Sequence, residues 1–294
     1  VALLNPPGHA LGRVNAIRAT TSIPYRVEAF PGALSIKWMP AGWAVWRTRA
    51  GAYRVDPSAY LVLDHGRVYS LTIDTPEPRE SFCPFFATGF VEDVHRALTA
   101  PPAALLDDPF DGPSAPITFA EHLRPADDRV TPQLHRMRDG FRRGVATSAW
   151  LDDQFSVLAE RLLLAQRDVR RQIASVPAAR PATRAELYRR LCRGRDYLHA
   201  SFAESLTLAA VAREACLAPH HFHRLFRRVF GRTPHDYLLE LRIARARTLL
   251  SQTERAVGEI CLDVGFESFG SFSARFRREV GVSPTVFRRR AGRN

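Results

Sequence analysis

The sequence predicts an α+β chain in three parts. An N-terminal β-rich barrel spans residues 1–145, a helical connector with its linker spans 146–183, and an all-α C-terminal domain spans 184–294. Three observations carry this division. Short runs rich in Val, Tyr and Trp fill residues 25–74, an apolar seam at helical spacing follows Trp150, and residues 184–294 repeat upon themselves as two helix-turn-helix-sized units.

The β-rich part is justified run by run. "YRVEAF", "LSIKWM", "AVWRTRA", "AYRVD", "AYLVLD" and "VYSLTID" are strand-like, and Gly42, Gly51, Pro57 and Gly66 punctuate them. Their short, regular spacing predicts a barrel or sandwich. "CPFFATGFVEDV" offers one further strand, and the Pro- and Asp-rich residues 101–116 predict a loop. Trp38, Trp43, Trp46, Tyr53 and Tyr60 are the candidates for lining a small-molecule effector pocket, against the plainer alternative that they fill the barrel core.

After Trp150, the residues Leu151, Phe155, Leu158, Leu162, Ala165 and Val169 fall at alternating spacings of four and three. That spacing predicts a helix with an a/d seam. Two roles fit it equally: packing on its own β-domain, or pairing with a second copy through Leu151, Phe155, Leu158 and Leu162. "SVPAARPATR" ends this helix and predicts a linker.

Composition bounds the function. The 294 residues are 46% apolar, enough for a core, and no apolar run reaches the length of a membrane span. The opening "VALLNPPGHALGRVN" has no basic stretch followed by an apolar one, so no secretory leader is expected. Cys83, Cys192, Cys216 and Cys261 lie far apart without a C-x-x-C, which predicts neither a disulfide framework nor a zinc module and fits a reduced cytoplasmic setting. Net charge is +12, and residues 184–294 hold 21 Arg against 11 acidic residues, so this segment carries +10 of it. Such asymmetry points to a polyanionic partner. Lys37 is the single lysine of the chain.

The repeat sharpens that partner. At an offset of 50, Phe222, Phe226, Arg227-Arg228, Gly231, Pro234 and Tyr237 recur as Phe272, Phe276, Arg277-Arg278, Gly281, Pro284 and Phe287. Upstream the offset is 49, pairing Leu208 with Val257 and Cys216 with Gly265, so the second unit has one extra residue in its turn. Each unit predicts a short helix, a tight turn and a longer basic helix, the layout in which the second helix can enter a major groove. Phe222, Leu225, Phe226 and Val229 form the buried stripe of the first basic helix, and Phe272, Phe276 and Val280 that of the second. His220, His221, His223, Arg224, Arg227 and Arg228 are left outward on the first, with Ser271, Arg275, Arg277 and Arg278 on the second. Between the units, Pro234 to Gln252 predicts a helical rod of roughly 28 Å at 1.5 Å per residue. Adjacent major-groove windows lie roughly 34 Å apart, so such a rod can hold two heads one turn apart. A metal site on His220 and His223 is the rival reading, but no carboxylate or cysteine completes a ligand set beside them.

"RIARARTLL" followed by "VGEICLDVGFESFGSFSARFRREVGVSPTVFRR" closely resembles the AraC/XylS transcriptional regulators, and "LTLAAVAREACLAPHHFHRLFRRVFGRTPHDYL" matches as the first unit. The resemblance covers about 185–291. In strand pattern and order, the N-terminal part resembles the cupin-type sensor domain many members carry. The resemblance implies two recognition helices in successive major grooves, with activity modulated through the N-terminal domain. It places base reading in the first unit on His220, His223 and Arg224, and leaves the paired arginines to phosphates or solvent. It also marks departures. Ala218 stands where the family often has an N-cap Ser, Cys216 where a turn Gly is common, and Ala274 where a reading Arg is common.

The expected partners are therefore double-stranded promoter DNA, RNA polymerase, a small-molecule effector and a second copy of the chain. No membrane partner, cofactor or metal is expected. The alternatives are a cupin-type metalloenzyme, for which the strands offer only His65 and scattered acids, and a DNA-repair enzyme fused to a DNA-binding module. The latter needs an activated cysteine, and Cys83 sits in apolar "SFCPFF".

Overall fold

The computed structural model describes residues 3–22, 25–73, 79–101 and 116–291, and the chain divides into two compact units, Val1–Arg171 and Gln172–Asn294. Most of the loop expected over 101–116 lies outside the described residues.

In the first unit, strands β1 (Leu3–Leu4), β2 (Ala16–Ser22), β9 (Arg79–Phe85), β4 (Ser35–Lys37), β7 (Ala59–Leu63) and β10 (Leu123–Pro125) lie side by side in that order in one sheet. A second sheet runs β3 (Tyr25–Pro31), β8 (Val68–Ile73), β5 (Ala44–Thr48), β6 (Ala52–Val55). Pairing is antiparallel except for β1 with β2. The sheets do not close, so the expected barrel is corrected to two open, facing sheets. The reason lies in the first sheet, which buries both of its faces. By the two-residue period of a strand, Ile36, Trp38, Tyr60, Val62 and Phe82 point to a core shared with helices. Their neighbours Leu61, Leu63, Cys83 and Phe85 point to the second sheet.

Three helices cover the outer face: α1 (Phe90–Thr99), α2 (Val130–Arg142) and α3 (Ser148–Ser175). The expected strand through "CPFFATGFVEDV" ends at Phe85, and Gly89, at φ 85°, turns the chain into α1. α2 carries Val130, Leu134, Met137 and Phe141 at helical spacing and buries the first three, a helix not anticipated from the sequence. Asp127 caps it, its Oδ1 accepting from the Val130 N–H at 2.6 Å and from Thr131 at 3.1 Å. The α3 seam is buried in this unit's own core: Leu151 is 1% exposed, and Phe155, Leu158 and Leu162 are 0%. The four residues offered for pairing with a second copy are thus spent on intramolecular packing.

The second unit is helical: α4 (Pro181–Ala200), α5 (Leu208–Glu214), α6 (Pro219–Phe230), α7 (Pro234–Gln252), α8 (Val257–Asp263), α9 (Phe269–Val280) and α10 (Pro284–Ala291). The repeat is visible in three dimensions. Phe226 meets Phe222, Phe230 and Tyr237 at ring-centroid distances of 5.3, 4.7 and 5.9 Å. Phe276 meets Phe272 and Phe287 at 5.7 and 5.6 Å, so Tyr237 and Phe287 do the same work fifty residues apart. Each buried phenylalanine contributes about 1.5–3 kcal/mol of apolar burial. Gly231 and Gly281 end α6 and α9 with φ of 73° and 83°. In the two turns, Cys216 and Gly265 both take left-handed backbone, at φ 51° and 88°. Gly265 needs space as well as torsion, because a Cβ there would lie 2.7 Å from the Ala203 carbonyl oxygen. Val280, expected in the buried stripe, is half-buried.

Candidate nucleic-acid interface

α6 is positioned by its apolar stripe and by the close approach of α4. Phe222, Leu225, Phe226 and Val229 are all buried, and a Cβ on Gly194 of α4 would meet the Phe222 ring at 2.6 Å. The opposite arc carries the basic groups. His220, Arg224, Arg227 and Arg228 are exposed, and His221 is half-buried. His223 is half-buried too. It lines a small cleft of about 140 Å³ with Val211, Pro234, His235 and Leu238, so it stands at the edge of the outward arc rather than its centre. Arg228 is engaged: its Nε donates to the Ser175 carbonyl at 3.1 Å. Arg224 and Arg227 are exposed on the same arc.

α9 differs in chemistry. Phe272 and Phe276 are buried, and Ser271, Ala274, Arg277 and Arg278 are exposed. Phe269 is 52% exposed at the first turn. Arg275, the candidate base reader beside Ala274, is held inward instead. Its side chain is 11% exposed and pairs with Glu279 at 3.1 Å and with Asp236 of α7 at 3.8 Å. It braces α9 to the rod. The helix starts differ as well. The Ser268 hydroxyl accepts from the Ser271 N–H at 3.2 Å, whereas Ala218 gives α6 no side-chain cap.

In the N-terminal unit the five aromatic candidates separate by strand parity. Trp38 and Tyr60 face the helical core, and Tyr60 donates to Asp127 Oδ2 at 2.7 Å. Trp43 lies under the Arg54 guanidinium at 4.5 Å. Tyr53 and Trp46 sit opposite one another across β5 and β6 in the inter-sheet core. Of the five, Trp46 alone lines the cavity of about 220 Å³ between the sheets. A sequence reading misses the group that dominates this cavity, Lys37, which is 1% exposed. The signal was available: the chain's single lysine sits between Ile36 and Trp38 in an apolar strand.

A rod of 19 residues joining two helix-turn-helix units, each with a buried aromatic stripe and an outward basic arc, defines the class: a double helix-turn-helix domain. Residues 211–290 match a family described as a helix-turn-helix domain. The transcriptional activator RhaR of Klebsiella pneumoniae is 39% identical over 100 residues, covering 33% of this chain and 36% of RhaR. The bifunctional transcriptional activator and DNA repair enzyme AdaA of Bacillus subtilis is 33% identical over 93 residues, covering 32% of this chain and 44% of AdaA. A crystal structure of an AraC-type DNA-binding-domain regulator from Chromobacterium violaceum is 31% identical, covering 35% of this chain and 91% of that one, at TM-score 0.33. Residues 211–290 are a helix-turn-helix domain of the type found in the AraC/XylS family of transcriptional regulators. The chain spans less than half the length of these curated relatives. Regulators of this family are generally non-enzymatic, AdaA being a relative with a repair activity. Among the described residues no helix is long and apolar enough to cross a membrane.

Proposed function

We propose that this protein is a sequence-specific transcription regulator that lays α6 and α9 in successive major grooves of one DNA segment, with occupancy modulated through the N-terminal unit. The observation that carries the reading is the repeat itself, two like heads on one rod whose length suits one turn of DNA. The heads divide the labour. Arg224 has the fork that matches guanine O6 and N7, while Phe269 and Ala274 offer apolar contact to thymine methyl groups. Arg227, Arg277 and Arg278 suit phosphates, which position the protein without reading sequence. Promoter DNA is the partner and RNA polymerase the downstream contact. A catalytic role has little support: burial pushes the Cys83 thiol up, opposite to the activation a nucleophile needs.

Footprinting on genomic fragments tests this. Two protected blocks one helical turn apart are expected, with affinity falling steeply with salt. Arg224→Ala should cost about 1–3 kcal/mol on the cognate site and relax preference at one base pair. Arg227→Ala should weaken all sequences alike and lower the salt slope by about one. Binding without sequence preference would overturn the reading.

A further inference from the structure

The cavity between the two sheets has one unusual property: among the described residues it is lined by positive charge and by no Asp or Glu. Lys37 reaches into it from β4 and is 1% exposed. Its Nζ donates to the Tyr69 hydroxyl at 3.2 Å and lies over the rings of Phe85 at 3.9 Å and Tyr69 at 4.4 Å. An ammonium has three donors, so one hydrogen bond and two ring faces leave capacity toward the cavity. Arg18 of β2 lines the same space, and no Asp or Glu does so among the described residues. Cys83 lines the cavity too, and burial raises its pKa, which keeps it a neutral thiol. Val27, Phe30, Trp46 and Leu71 complete apolar walls, while Thr20 and Ser81 bond each other at 2.8 Å on the floor.

A buried charge without a counter-charge is costly, and an entering anion reduces that cost. The geometry points to a binding site for a small organic carboxylate: its acid group on Lys37 and Arg18, its apolar body against Phe30, Trp46 and Leu71. Size agrees, since a cavity of roughly 150 Å³ holds benzene, so about 220 Å³ accepts a ring or short branched chain with its carboxylate. Burial lowers the Lys37 pKa to about 8, with Arg18 adding to the fall and Cys83 opposing it. The amine is thus charged at neutral pH yet poorly compensated until an anion arrives.

This inference rests on the sensor role proposed above for the N-terminal unit, and its test is read without DNA. Benzoate, phenylacetate and octanoate are titrated calorimetrically into the full-length protein, each beside its neutral amide, with Trp fluorescence as a second readout. At least one acid should bind saturably, and its amide at least about tenfold more weakly, a gap of 1.4 kcal/mol. Lys37→Met should remove at least about tenfold of the acid's affinity, and Arg18→Gln a smaller part, with thermal melts confirming that both variants fold. Equal binding of acid and amide overturns the proposal. So does unchanged affinity in a folded Lys37→Met, or no saturable binding of any acid at about 1 mM. Footprinting of the same preparations separates the two readings: acid binding without DNA binding sinks the regulator and leaves the site standing, and DNA binding without acid binding does the reverse.

Discussion

At the scale of single residues, what a side chain does is set by which face of its element it occupies. Leu158 shows the cost of judging by spacing alone. Its a/d register suits a pairing helix, yet it is 0% exposed in the core of its own unit. Leu158→Asp should therefore unfold the N-terminal unit rather than release a partner, because it buries an unpaired carboxylate and leaves a void; leucine truncations of this kind cost about 2–5 kcal/mol even without the charge. Circular dichroism against light scattering decides it: a folded monomer made from a wild-type dimer would restore the pairing role. Lys37 gives a second prediction in the ligand-free protein. Its folded pKa, lowered to about 8, lies below the ordinary 10.5 of the unfolded chain. Between these values the unfolded state holds more protons, so stability rises with pH, and the cost is fully present below pH 8. At 1.36 kcal/mol per unit the cost is about 3 kcal/mol. Lys37→Met should raise unfolding free energy in urea at pH 7 by about 2–3 kcal/mol and flatten its rise toward pH 10. Equal stability at pH 7 would show that the ammonium is compensated after all.

At the scale of elements, the repeat acts as an internal control, since each helix can be compared with its copy. α9 begins on Ser268, whose hydroxyl takes the Ser271 N–H, while α6 begins on Ala218 with no such bond. Ala218→Ser should supply it and stabilise the C-terminal unit by about 0.5–2 kcal/mol, seen as a higher Tm; Ser268→Ala should cost a similar amount. Opposite signs are required, and a drop in both would mean that Ala218 is packed rather than merely uncapped. The same comparison explains what the sequence made legible. Phe222, Phe226, Phe272 and Phe276 announce buried faces at a period of 3.6, and helix packing honours that period locally. The offset change from 50 to 49 locates the extra turn residue between Val264 and Ser268, where the structure has five linking residues against four in the first unit. The strands were less legible because parity decides their chemistry, and parity is a property of the sheet. Trp38 and Lys37 are neighbours in sequence, but one faces helices and the other the cavity. Arg275 was beyond reach for another reason, since its Asp236 partner lies 39 positions away on a different helix.

At the scale of the whole molecule, charge is distributed by role: residues 184–294 carry +10 of the net +12, and the segment holding the inter-sheet cavity is close to neutral. In the proposed reading, long-range attraction to DNA belongs to the helical unit, and specificity depends on both heads engaging at once. Two linked heads gain from effective concentration, and that gain vanishes when geometry forbids simultaneous contact. The rod α7 fixes the separation, as its 19 residues run between the two units with Tyr237, Leu238, Ile243, Ala246 and Leu250 buried against them. The DNA can be altered where the protein cannot without unfolding. Inserting five base pairs between the two protected blocks turns the second groove about half a turn away, since a turn is roughly 10–10.5 base pairs. Binding should fall to that of one head, while a ten-base-pair insertion should not restore it, because a rigid rod of roughly 28 Å cannot span two turns. Competition shifts with the three DNAs measure this directly. Recovery at ten base pairs would mean that the heads are joined flexibly, and that α7 does not set the spacing.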